Sequence, residues 1–138
     1  MMSSKYYPTF LLVLLPTLSI TKCDAKYFVN ANDSVNLQEC NFDDIRNISA
    51  LNSDPHEIVI HNCQLSEREL PNALFIRFHK LRILEITDSH VHDIGDFAFN
   101  GLSELRILSI ARNNLTVVRT WSNENLESMH TLDLRRNS

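Results

Sequence analysis

The chain has 138 residues, 43% of them hydrophobic and 22% charged. That is enough for one small domain with a packed core and too apolar for disorder along the whole length. Acidic residues outnumber Lys and Arg by 17 to 13, a net charge of -4, which argues against a nucleic-acid surface, and the 2 glycines argue against a Gly-rich phosphate loop or a turn-dense β-sandwich.

Residues 1–21 read as a secretory signal peptide. Lys5 supplies the positive start, residues 10–15 form an apolar core continued by Leu18 and Ile20 around Pro16, and Thr17, Ser19 and Thr21 offer small residues for cleavage. The apolar run is about half the ~20 residues that a membrane-spanning helix needs. No later stretch is apolar enough to span, so the mature chain is expected to be secreted, extracellular and without a membrane span. Three N-x-[ST] triplets, at Asn32, Asn47 and Asn114, are expected glycosylation sites.

Residues 22–53 predict an N-terminal cap. Tyr27, Phe28 and Val29 suit one strand, and Phe42 with Ile45 suits a second. The polar stretch Asn30-Ala31-Asn32-Asp33-Ser34 lies between them. The result is a hairpin expected to lie across Ile58 and Ile60, covering the apolar end of the first coil.

Residues 54–138 repeat. Leu81, Leu84, Ile86, Ser89 and Val91 are followed 24 positions later by Leu105, Leu108, Ile110, Asn113 and Leu115, and then by Met129, Leu132, Leu134 and Asn137. An earlier copy, Ile58, Ile60, Cys63 and Leu65, is offset by 26. Leu84 and Ile86 flank Glu85, so they share one face of a short strand. The aliphatic positions alternate and then break, which no 3.6-residue stripe does. Strands are expected at 58–60, 83–86, 107–110 and 131–134, as three full coils and a partial fourth.

The shared pattern L-x-x-L-x-L-x-x-[N/C]-x-L resembles the leucine-rich repeat family, and Ala98-Phe99-Asn100-Gly101-Leu102 is similar to its half-repeat. The resemblance implies an α/β-type, strand-dominated solenoid: a horseshoe fragment with a β-hairpin cap and no C-terminal cap. Asn113 and Asn137 are then expected to satisfy buried backbone groups of the turn and the adjoining coil. Cys63 and Ser89 would do so with fewer hydrogen bonds. Phe75 and Phe99 should stack on the far side, with Trp121 filling the gap left by Asn123. Met129, Leu132 and Leu134 should lack a neighbour on one side, so association through the last coil is expected.

A Cys23–Cys40 disulfide is expected to staple the hairpin, leaving Cys63 a buried thiol, its structural role in that family. The alternative pairing is Cys40–Cys63. His90 and His92 flank the core residue Val91 and have no third or fourth ligand, so no metal site is read there. No catalytic constellation appears, and neither enzymatic activity nor a cofactor is expected.

Outward strand positions should line a concave face suited to a protein partner. They are Val59 and His61 in the first coil; Ile83, Glu85 and Asp88 in the second; Ile107, Ser109 and Arg112 in the third; Asp133, Arg135 and Arg136 in the fourth. The signal peptide, the cap ending Cys40-Asn41-Phe42 and the run Ile58-Val59-Ile60-His61-Asn62-Cys63 look like secreted leucine-rich repeat immune proteins of insects. That resemblance implies innate defence, with another leucine-rich repeat chain or a complement-like protein as partner. The alternatives are a truncated Toll-type receptor ectodomain and a matrix or adhesion protein.

Overall fold

Val35 and Leu37, Ile58 and Ile60, and Leu84 and Ile86 each enclose a residue that stays partly exposed, while the pairs themselves are buried. This is the two-residue alternation of a strand with one face on a core. The computed structural model describes residues 26–29, 33–48, 50–65, 69–118 and 126–138. The expected signal segment (residues 1–21), Cys23, Asn32, Trp121 and Asn123 lie outside the described residues. The elements are β1 (Lys26–Val29), β2 (Ser34–Gln38), α1 (Phe42–Ile48), β3 (Glu57–His61), β4 (Ile83–Thr87), β5 (Ile107–Ser109) and β6 (Thr131–Asp133).

The six strands form one sheet in chain order. β1 and β2 are antiparallel, and each later pair is parallel. Register is kept across the repeat: Ile58 faces Leu84, Leu84 faces Leu108, and Leu108 faces Leu132. The chain is thus a strand-dominated solenoid with little helix, and strands stand at all four positions expected from the repeat.

The return sides of the coils are built from tight turns that also recur every 24 residues. Leu81, Leu105 and Met129 donate their amides to the carbonyls of Phe78, Leu102 and Leu126. Phe75 and Phe99 are both buried, and Phe78 joins them with no exposed surface. Gly101 takes φ +85, and a Cβ there would stand 2.9 Å from the Ile76 carbonyl oxygen, so only glycine fits this turn. In the last coil Met129 and Leu134 are partly buried against the core, and Leu132 is 44% exposed.

The cap differs from its expected form. β1 is present, but its partner is Ser34–Gln38, with Val29 opposite Val35 and Lys26 opposite Gln38. Val35 and Leu37 then continue the solenoid's aliphatic columns beside Ile58 and Ile60. Phe42 and Ile45 lie on a helix, not a strand. Asn41 begins it: its Oδ1 accepts the amides of Asp43 and Asp44 at 2.9 and 3.1 Å, and Asp44 returns Oδ2 to the Asn41 amide at 2.8 Å. This reciprocal capping satisfies amides that a helix start leaves unpaired. Phe42, Ile45 and Ile48 form the buried face.

The disulfide also differs. Cys40 is bonded to Cys63, not to Cys23. The cause is the parallel register: Leu37 faces Ile60, so the residues that leave the two strands arrive side by side, with Cα atoms 4.5 Å apart. Cys63 keeps its repeat position all the same, donating its amide to Ser89 Oγ at 3.2 Å. It is therefore both a ladder residue and half of a bridge. Reduction, or Cys40→Ser with Cys63→Ser, should cost about 3 kcal/mol from the loop-closure entropy regained by the unfolded chain. Urea unfolding with and without reductant measures it, and equal midpoints would contradict a structural bridge.

Candidate protein-interaction face

The outward row of the sheet is built by the strands themselves. Val59, Ile83 and Ile107 are half-buried, as are His61, Glu85, Asp88 and Asp133, while Arg112, Arg135 and Arg136 are exposed. Ser109 shares a row with Glu85 and Asp133 but is itself buried. It contributes little surface, in contrast to its expected place on the face. Its side chain is too short to rise above the longer residues on either side.

The turn that closes each strand shapes one edge of this face. The residue before each ladder position takes a left-handed backbone: φ is 53 at Asn62, 51 at Asp88, 54 at Arg112 and 58 at Arg136. Asn and Asp adopt this region at small cost, whereas Arg does so only where the surroundings hold it. Part of what holds it is the ladder beneath. Asn113 Oδ1 accepts the amides of Ser89 and Val91 at 3.0 and 3.1 Å, and its Nδ2 donates to the carbonyls of Ile86 and Ala111 at 2.7 and 3.1 Å. Asn137 makes three comparable bonds, to Leu115, Ile110 and Leu134. Ser89 Oγ makes two, accepting from Cys63 and donating to Thr87. The expected falling order of hydrogen bonds from Asn to Ser is present.

Charges on the edge are paired across coils. Arg112 Nε lies 2.8 Å from Asp88 Oδ2. His61 Nδ1 lies 3.4 Å from the same oxygen and 3.1 Å from Thr87 Oγ1. Asp88 is thus the hub of a three-coil cluster rather than a bare acid. In the fourth coil the Arg135 side chain donates to both oxygens of Asp133 at 2.9 and 2.8 Å, and its backbone amide adds a third bond at 3.0 Å. The side-chain bonds, then the amide, lower the Asp133 carboxyl from 3.8 to about 2.

A depressed folded value means that this pair stabilises the fold above the unfolded carboxyl pKa and stops doing so as pH falls through about 2. Carboxyl-carbon NMR should show Asp133 titrating near 2, with Arg135→Ala moving the midpoint back towards 3.8. An unmoved midpoint would remove Arg135 as the cause.

Elsewhere, His90 and His92 are exposed on either side of buried Val91. Among the described residues no three His, Cys, Asp or Glu gather as a metal site, and no helix is long and apolar enough to cross a membrane. Asn47 and Asn114 are both exposed.

A parallel strand per coil, a buried aliphatic column and an Asn-based ladder make a strand-lined repeat solenoid, consistent with the leucine-rich repeat. In agreement, the leucine rich repeat family model matches residues 79–138, which carry β4, β5 and β6. The match supports a leucine-rich repeat family for the chain. No curated protein matches it.

The capping of α1 by Asn41 and Asp44 went unread in the sequence, although N-x-x-D ahead of Ile45 and Ile48 is its signal. The Asp88–Arg112 pair was also missed. Its spacing of 24 residues, one coil, was the available clue.

Proposed function

We propose that the chain is a secreted protein-recognition module of innate immune defence, without catalytic activity, that binds a protein partner through the concave face of its sheet. The observation that carries this reading is the partly exposed apolar pair Ile83 and Ile107, aligned in register with Val59 diagonal to Ile83, on the same face as the cluster His61–Asp88–Arg112. An apolar centre with a polar, charged rim is the make-up of a recognition patch. Leucine-rich repeat domains commonly bind proteins, and the partner class we propose is a complement-like protein or a second leucine-rich repeat chain. Secretion is supported by the signal-like residues 1–21 and by two exposed N-x-[ST] asparagines.

Two experiments test this. Expressed whole in a secretory cell, the protein should enter the medium and gain gel mobility when an N-glycan-cleaving enzyme is added. Retention in the cytosol would end the secretory reading. Purified protein should bind a complement-like protein, and Ile83→Glu with Ile107→Glu should weaken binding about tenfold or more by placing charge at the patch centre. Unchanged binding in a folded double variant would move the site off the concave face.

A further inference from the structure

The return side of the second coil holds an asparagine unlike the others. Asn100 alone among the asparagines is followed by glycine, and that glycine is held at φ +85. Elsewhere such side chains are tied into the fold: Asn41, Asn72, Asn113 and Asn137 each accept from backbone amides. Asn100 is half-buried, and among the described residues neither its side chain nor the Gly101 amide makes a hydrogen bond. The amides on either side are occupied. Asn100 donates to the Phe97 carbonyl at 3.2 Å, and Leu102 donates to that of Phe99 at 3.3 Å. An unbonded backbone nitrogen therefore stands next in the chain to an unbonded carboxamide, with no side chain on the second residue to keep them apart.

We propose that Asn100 is a site of spontaneous deamidation, with water as the only co-reactant, and that this reaction limits the lifetime of the folded second coil. The Gly101 nitrogen attacks Asn100 Cγ. The N–Cγ bond forms and the Cγ–Nδ2 bond breaks. Nδ2 leaves as ammonia with the proton that Gly101 gives up, relayed by water. Water then opens the resulting cyclic imide at either carbonyl. Opening at Cγ leaves an aspartate on an ordinary backbone. Opening at the main-chain carbonyl leaves an isoaspartyl link, in which the chain runs through Cβ and Cγ and is longer by one carbon. This turn has no room for that carbon. Even a Cβ on Gly101 would lie 2.9 Å from the Ile76 carbonyl oxygen, and Phe99 and Leu102 on either side are buried. The isoaspartyl form therefore gives up the Leu102-to-Phe99 hydrogen bond and loosens the packing of the second coil on the first.

The test holds the full chain, folded, at body temperature and mildly alkaline pH, and maps samples withdrawn over weeks by digestion and mass spectrometry. The peptide carrying Asn100 should show the amide-to-acid mass gain before any other, ahead of the peptide with the exposed pair Asn52-Ser53. An isoaspartyl-specific methyltransferase should label it. Conversion should be about as fast as in the urea-unfolded chain, since the fold ties down neither reacting group. Aged wild type should melt about 3 °C or more below fresh protein, whereas aged Asn100→Ser and Asn100→Gln should keep the melting temperatures they had when fresh. Asn100 left intact in the folded chain while the unfolded chain converts would overturn the proposal. So would Asn52 converting first, isoaspartate at Asn100 with an unchanged melting curve, or an equal decline in the aged variants.

Discussion

Leu108→Asp should leave no folded protein. Leu108 has no exposed surface and stands between Leu84 and Leu132 in the aliphatic column. The change removes a buried aliphatic side chain, at about 2–5 kcal/mol, and buries a carboxylate with no partner, at several kcal/mol more. A domain of this size holds roughly 5–15 kcal/mol in total. Glu85→Ala, on the preceding strand one residue past the partner of Leu108 but facing outward, should melt within a few degrees of the wild type. Thermal unfolding followed by far-ultraviolet circular dichroism compares them. A cooperative transition in Leu108→Asp at the wild-type temperature would falsify the assignment of faces.

Asn113→Ala is the second large effect. The side chain makes four hydrogen bonds, all to backbone groups in a buried turn. Its loss orphans the amides of Ser89 and Val91 and withdraws a donor from two carbonyls. An unsatisfied buried group costs about 1–3 kcal/mol, so about 4 kcal/mol is expected in urea unfolding. Asn113→Asp should be nearly as damaging, because a carboxylate keeps the two acceptor contacts but faces the carbonyls of Ile86 and Ala111 with no proton to give. Ser89→Ala should cost about half as much, in keeping with its two bonds. A loss below about 1 kcal/mol in Asn113→Ala would mean that the backbone satisfies itself some other way.

The repeat was legible because stacking forces it to be. A strand that pairs in register every 24 residues must place like side chains at like positions, so Leu84, Leu108 and Leu132 announce each other. The cap has no such repetition. Phe42 and Ile45 suit either a strand or a helix by their apolarity alone, and the decision lies with two short polar side chains, Asn41 and Asp44. The bridge was misread for a related reason. The expected hairpin, flanked by Cys23 and Cys40, and the ladder role of Cys63 favoured Cys23 with Cys40, whereas the parallel pairing of β2 with β3 brings Cys63 alongside Cys40 across 23 residues. On the surface, the row of each outward residue could be read from the repeat. Ser109 could not be placed in depth, because exposure depends on the height of its neighbours.

The ladder has a direction. Asn113 closes the turn at Ser89 and Val91, in the coil before its own, and Asn137 likewise closes the turn at Leu115. Ser89 serves the amide of Cys63 in the same backward sense. Each coil therefore waits for its successor, since its buried amides find their acceptors only when about one repeat more of chain is in place. A chain emerging from its N-terminus would receive these acceptors one at a time, so no turn but the last delivered could close ahead of the coil that follows it. Loss of order runs the opposite way: removing any one coil strips the coil before it of acceptors, so fraying spreads towards the N-terminus until it meets the covalent stop between Cys63 and Cys40.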